Sequence, residues 1–295
     1  TKVSIMYMND IVDKELLNET IEKISNISSD KVLDTYYIKS LINNENKSSF
    51  PSIKSTEKPD TIAKSLMEGK ICIVSENSCN ALIIPTFFID YFHNDEDIYQ
   101  KSLYVEFVKF IRIIALFITI FAPSIYLAII TYDQQILPTS LLINFSLQRA
   151  SVPFPALIEA FSLMFTFELL YEGDALTPSS RGTSLSILGA LVLGDAAVSA
   201  GIVSPIMVIL VAVTAISSIF FVYYDFQSFI RLYRYSLMIL SSIFGIIGVL
   251  FGFIFIITNL CNIKSFGKPF MYPISPKLNI KNRKTLIKKG LLPQN

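Results

Sequence analysis

The chain has 295 residues, 52% hydrophobic and 17% charged, with a formal net charge of +1 and a mean hydropathy of +0.52. A soluble domain carries about 25% charged residues, and here the charges are divided: residues 1–109 hold 12 lysines against 17 acids, net −5, while residues 110–295 hold 13 cations against 7 acids, net +6. That division excludes a wholly soluble protein, and three widely spaced cysteines (Cys72, Cys79, Cys261) with one histidine, His93, exclude a disulfide scaffold and argue against metal or triad chemistry.

The N-terminal stretch Thr1-Lys2-Val3-Ser4-Ile5-Met6-Tyr7 alternates β-branched and polar residues and predicts a strand. Neither an initiator Met nor a basic stretch leading into an apolar core is visible, so the chain reads as beginning inside a domain without a signal peptide. Leu16, Leu17, Ile21, Ile24 and Ile27 recur at the helical period. An Asn- and Ser-rich loop is expected from there through Pro51, and Pro59-Asp60 then opens a short helix expected to end near Gly69. Ile71–Val74 and Ala81–Ile84 flank Glu76-Asn77-Ser78 and predict a hairpin. Residues 1–109 thus read as a small α/β unit.

Phe110–Tyr132 carries one charge, Arg112, and is long enough to cross about 30 Å of hydrocarbon at 1.5 Å per residue. Pro123 is expected to kink it. Ser184–Ala200, Ile202–Val222 and Ser236–Leu260 complete about four spans in an α-helical membrane domain over residues 110–260. Gly201 and Pro205 separate the middle two, either as a tight hairpin or as a break in one helix. Between the first two spans, residues 133–182 are interrupted by Pro138, Pro153 and Pro155, and then carry a helix over Ala156–Glu172. On it Glu168 and Glu172 share a face, and Glu159, nine residues back, points the opposite way. Two readings stay open: an interfacial helix with solvated acids, or a re-entrant element lining an aqueous cavity.

Residues 261–295 read as a basic cytoplasmic tail, with Lys264, Lys268, Lys277, Lys281, Arg283, Lys284, Lys288 and Lys289 and no acid. Arg231 and Arg234, just before the last span, ask for the cytoplasm too, and a single crossing cannot satisfy both. Giving the tail more weight leaves those arginines for lipid phosphates or helix C-termini, and four crossings then place the acidic N-terminal unit in the cytoplasm. Its negative charge disfavours nucleic acid.

Asp195 is the sharpest single residue. A carboxylate at the bilayer centre costs about 2.5–3.5 kcal/mol on insertion scales, so it faces a cavity, pairs or is protonated, unless it sits at a helix end and reaches headgroup water. Repeated around an oligomer, it would attract cations. Ala190, Gly194, Ala197 and Gly201 form a small-residue stripe suited to helix packing, and Pro205 with Gly201 forms either a hinge or a plain turn. Gly245, Gly248 and Gly252 also suit packing. Phe145, Phe154, Phe161, Phe165 and Phe167 serve as interfacial anchors or as a constriction. No phosphate-binding glycine loop or nucleophile elbow occurs, so neither enzyme chemistry nor a cofactor is expected.

Gln148-Arg149-Ala150-Ser151-Val152-Pro153-Phe154-Pro155 with Glu159 resembles the R-x-x-V-P-F-P…E signature of the spore germination A-subunit (GerA) family. Ile187-Leu188-Gly189-Ala190-Leu191-Val192-Leu193-Gly194, Ala200-Gly201-Ile202-Val203-Ser204-Pro205, Val211–Ser217, the Arg231/Arg234 pair and Ser265-Phe266-Gly267-Lys268-Pro269-Phe270 continue the resemblance in order. It implies the A subunit of a nutrient germinant receptor in the spore inner membrane. Such a subunit would be a homo-oligomeric, ligand-gated cation channel in lipid, with a transporter-like B subunit and a lipoprotein C subunit. A sister branch, the F protein of the SpoVA operon, shares these motifs. Where the family writes R-E-A-G-x-R-x-P, this chain has Tyr171 and Leu176 at the arginine positions, leaving Glu172 less neutralised unless Arg181 substitutes. A secondary transporter and a non-conducting scaffold are the rival readings.

Overall fold

A computed structural model describes residues 2–27, 34–43, 50–76, 78–94, 97, 100–176, 194–221 and 223–275. The chain divides into two compact units, one from Thr1–Lys109, Tyr223–Phe229 and Ile257–Asn295, the other from Phe110–Val222 and Ile230–Ile256.

The first unit holds a four-stranded antiparallel sheet in the order β1-β3-β4-β2, from β1 (Val3–Met6), β2 (Lys54–Thr56), β3 (Ile71–Ser75) and β4 (Ala81–Ile84). The expected N-terminal strand and β3–β4 hairpin are present, with Ile5 opposite Ile73 and Ile71 opposite Ile84. β2 is a strand that composition could not announce, because Lys-Ser-Thr has no apolar residue and is held by pairing to β4. Helix α1 (Lys14–Ser25) starts where the Asp13 carboxylate accepts from the Glu15 N–H at 3.1 Å. α2 (Thr35–Asn43) corrects the expectation of an Asn- and Ser-rich loop through Pro51: Ile38 and Ile42, four apart, are buried in the core and hold that stretch helical, and α3 (Pro59–Met67) begins with proline at its first position. Leu16, Ile38, Ile42, Ile53, Ile71, Ile73, Leu82 and Ile84 form the buried core, each side chain contributing about 1.5–3 kcal/mol.

Residues 263–270, expected to begin a tail, are built into this unit. A two-stranded turn of β5 (Lys264–Ser265) and β6 (Lys268–Pro269) places Phe266 in the same core and buries Phe270 completely. The Ser265 hydroxyl donates to the Ser52 carbonyl at 2.9 Å, and the Phe88 N–H donates to the Phe270 carbonyl at 2.9 Å. Phe50, Tyr91, Phe226 and Phe270 make a second, aromatic cluster. Beside it lies a partly buried ion pair, Lys70 Nζ to Asp90 Oδ2 at 2.8 Å. Burial pushes the Asp90 carboxyl up, but the Lys70 charge, its hydrogen bond and the Phe87 N–H outweigh burial and hold it below the ordinary carboxylate value.

The second unit contains the apolar helices. α4 (Ser102–Thr131) runs through Pro123 as one 30-residue element. α5 (Thr139–Arg149), α6 (Ala156–Leu176) and α7 (Pro205–Ser218) follow. Leu127, Ala156, Ala160, Met164, Met207, Val211 and Met238 are packed together.

α8 (Tyr224–Asn262) has 39 residues, which as a straight rod would measure about 58 Å. It is not a rod. Gly245 lies at φ +61°, ψ −144°, and beyond it the chain reverses. A Cβ on Gly248 would press on the Leu240 carbonyl group, and one on Gly252 on the Leu237 side chain. Leu237 and Gly252 would be about 22 Å apart in a straight helix. The expected last span, Ser236–Leu260, is therefore a helical hairpin rather than one straight crossing. The Asp133 carboxylate accepts from the Ile246 N–H at 3.1 Å and caps the second arm from a distant part of the chain.

Gly201 makes a similar reversal. Residues 194–199 are helical, Gly201 has φ +67°, and the Ile202 N–H closes on the Ala197 carbonyl at 3.0 Å. A Cβ on Gly194 would lie 3.5 Å from Val208, so of the two sequence readings the tight hairpin is the one adopted.

By length and composition alone, α4 and the whole run of α8 are long and apolar enough to cross a membrane among the described residues, but the reversal at Gly245 divides α8 into two shorter arms, and α7 is shorter than that test requires. The expected span Ser184–Ala200 lies outside the described residues up to position 193, as does Ala190. Four spans are thus not reached among the described residues. Phe110, Phe117, Ile247, Phe251, Ile254 and Phe255 are all exposed on the helices, an apolar surface that water does not suit.

Candidate functional site

Two charged clusters sit among these apolar helices. The first forms where the opening turns of α6 and α7 meet. Pro155 and Pro205 each start a helix, leaving Glu159 in the first turn of α6 and Ser204 as the residue capping α7. Ser204 does not turn its hydroxyl onto its own helix. Its N–H and its Oγ–H both donate to Glu159 Oε1, each at 2.6 Å. Glu159 is 1% exposed. Its other oxygen, Oε2, lies 3.8 Å from Arg149 Nε, and neither atom has a hydrogen-bond partner among the described residues. The Tyr126 side chain, from α4, feels the charges of Arg149 and Glu159 and interacts with the Ser204 side chain.

Magnitudes rank these influences. A unit charge at 3.8 Å attracts the carboxylate by about 4 kcal/mol at an effective dielectric constant of 20, before desolvation. A helix terminus contributes about 0.3–1 kcal/mol, up to ~2 when partly buried. The cation beside Oε2 therefore outweighs either helix end.

In the second cluster, Glu168 lies between two arginines on the first arm of α8. Arg231 Nε is 3.0 Å from Glu168 Oε2, and Arg234 Nη2 donates to Glu168 Oε1. Arg231 also reaches Glu172 at 3.6 Å and stacks on the Tyr171 ring at 4.4 Å. Two positive and two negative groups balance. Arg234 is the more deeply placed, its side chain 1% exposed against 21% for Arg231. The expectation that these arginines are left for lipid phosphates is corrected: acids on α6 engage both. Arg181, the other suggested partner for Glu172, lies outside the described residues.

Asp195 is exposed, near the start of the described helical stretch 194–199. Ala197 is half-buried, and Gly201 abuts Ser151, with a Cβ position 3.7 Å from its carbonyl oxygen. Of the phenylalanines, Phe161 packs on Tyr235 and Phe145 near Tyr126, while Phe154 and Phe165 are exposed. Spacing along the chain does not single out Tyr126 or Ser204 as neighbours of Glu159, whereas Arg149 and Glu159 stand together in the signature quoted above. The available signal was that a carboxylate buried among apolar residues must find a cation or donors.

The chain matches the Bacillus/Clostridium GerA spore germination protein family over residues 1–294. It belongs to that family. It is 38% identical over 276 residues to spore germination protein KA of Bacillus subtilis (strain 168), covering 94% of this chain and 51% of that protein. It is 39% identical to the uncharacterized membrane protein YfkQ of the same organism, covering 94% and 54%, and 34% identical to spore germination protein GerLA of Bacillus cereus, covering 93% and 56%. The chain thus spans about half the length of these curated relatives. No solved structure matches. In this GerA-family chain the segments that carry the resemblance have visible work. Residues 148–155 supply Arg149 and the proline break, residues 200–205 supply the Gly201 reversal and Ser204, and residues 265–270 fill the core of the first unit.

Proposed function

We propose that the chain is part of an A-type subunit of a nutrient germinant receptor, a non-enzymatic subunit that forms an oligomeric, ligand-gated cation channel in the spore inner membrane. The family match across residues 1–294 carries this reading. The exposed apolar surface of α4 and α8 supports a lipid surrounding. Within that reading Asp195 is the carboxylate that lines the conduction path, since its exposed side chain is available to an ion. Glu159, Glu168 and Glu172 act instead in gating, because each already has arginine beside it. The transporter-like B subunit and the lipoprotein C subunit are its partners, and the acidic first unit and the basic C-terminal residues face the cytoplasm.

The test is to reconstitute the assembled receptor in liposomes and follow nutrient-triggered K⁺ flux. Wild type is expected to conduct at channel rates, and Asp195→Ala to lose most of that flux. Turnover at carrier rates would favour a transporter, and no flux under any nutrient a scaffold.

A further inference from the structure

The two oxygens of Glu159 are held very differently. Oε1 accepts twice from Ser204 at 2.6 Å, which anchors the carboxylate to the start of α7. Oε2 is buried and accepts no hydrogen bond from a described residue, and Arg149 Nε, also unbonded, stands 3.8 Å away. That separation is beyond a hydrogen bond, so what holds the guanidinium there is charge alone. Charge alone does not discriminate between a guanidinium and a free cation.

The two partners also differ in mobility. Glu159 has no exposed side-chain surface, whereas Arg149 keeps 21% and so has a way out. Arg149 is the last residue of α5, and none of the α5 residues is buried. The residues that follow, up to Pro155, are not helical beyond a turn. Withdrawing Arg149 therefore uncovers no fully buried α5 side chain, and Phe145, one turn earlier, is the α5 residue that packs on the helix core. Arg234 on the other cluster contrasts with it, being 1% exposed and hydrogen-bonded.

We propose that Glu159 Oε2 is a binding position for a monovalent cation, and that Arg149 fills it from within the chain as a tethered cation which must withdraw before an ion enters. This rests on the conducting role proposed above and adds to it a site and the device that closes it. Without Arg149 the carboxylate keeps its two Ser204 hydrogen bonds but is a buried charge with no cation beside Oε2, an unfavourable state that a potassium ion relieves.

The experiment compares purified full-length wild type, Arg149→Gln, Arg149→Lys and Arg149→Gln/Glu159→Gln in detergent. Thermal unfolding is followed as KCl replaces N-methyl-D-glucamine chloride at constant ionic strength. Wild type and Arg149→Lys, which keep a tethered cation, are expected to be indifferent. Arg149→Gln is expected to gain roughly 5 °C in Tm between 1 and 100 mM K⁺ for a millimolar site, and the double variant to gain nothing. Recovery of Arg149→Gln only from KCl would be the same dependence in another form. An Arg149→Gln protein that ignores K⁺, or that cannot be recovered in either salt, overturns the proposal. So does a double variant that responds like the single one. Because this reads binding rather than flux, it can fail while the receptor conducts, and it can succeed while the receptor does not.

Discussion

Replacing Gly245 with alanine isolates the turn on which the shape of α8 depends. At φ +61°, ψ −144° Gly245 lies in the mirror-β region that glycine alone enters freely, where an L-residue costs about 1–3 kcal/mol. The new Cβ would lie 2.9 Å from Asp133 Oδ2 and 3.1 Å from Tyr132 Cβ, so the carboxylate must shift. That same carboxylate accepts from the Ile246 N–H, and losing a cap costs about 0.5–2 kcal/mol. The expected loss is about 1.5–5 kcal/mol, or roughly 3–20 °C in Tm at about 2–4 °C per kcal/mol, read by thermal unfolding in detergent. Gly173→Ala is the control, since its Cβ would meet nothing within 4 Å on helix α6. It should be neutral or gain about 0.5–1 kcal/mol. If Gly245→Ala unfolds within 2 °C of wild type, the turn is not under the constraint described. The hairpin itself is checked by Leu237→Cys with Gly252→Cys after the three native cysteines are changed to serine. A disulfide needs Cα atoms within about 7 Å, so an oxidised pair is expected, and a chain that never forms it has a straight α8.

Other substitutions separate the two charged clusters by burial, again by thermal unfolding. Arg234→Ala should cost about 3–5 kcal/mol, because its fully buried side chain pairs with Glu168. Arg231→Ala, 21% exposed, should cost at least ~2 kcal/mol less, and equal losses would contradict the ranking. Ser204→Ala removes one of two hydrogen bonds to Glu159 Oε1 and should cost about 1.5–3 kcal/mol. Glu159→Gln, which leaves Arg149 facing a neutral group, should be worse, and the reverse order would show that Arg149 contributes nothing. Acid unfolding, followed by tyrosine fluorescence, tests the Lys70–Asp90 pair. Asp90 titrates below its ordinary value when folded, so its contribution is present above an unfolded pKa of about 3.9 and disappears as pH falls through the lowered folded value. Lys70→Met removes the charge that lowers it, so the acid midpoint should move to higher pH; an unmoved midpoint would refute the assignment.

What could be read from the chain follows the range of the forces involved. Period and alternation are local, so β1, the β3–β4 hairpin, α1 and α3 were legible from a few residues each. β2 was not, because a three-residue polar strand exists only through its partner. The i,i+4 relation of Glu168 and Glu172 was legible, while their partners were not. Arg231 and Arg234 lie more than fifty residues away in sequence, and nothing in local spacing joins them.

The hairpin in α8 is the most instructive case. An apolar run reports that residues avoid water, not whether the chain continues or reverses. Reversals usually announce themselves with polar or proline-rich loops, because the freed backbone groups need partners. Here the loop is one residue long. Gly245 supplies the backbone angle, and Asp133, over a hundred residues earlier, supplies the acceptor for the Ile246 N–H. Gly248 and Gly252 look like ordinary packing glycines in sequence, yet they are what lets the second arm lie against the first. The charge conflict that the sequence raised is eased by pairing: Arg231 and Arg234, which precede the hairpin, are engaged by Glu168 and Glu172 and so present no uncompensated charge of their own.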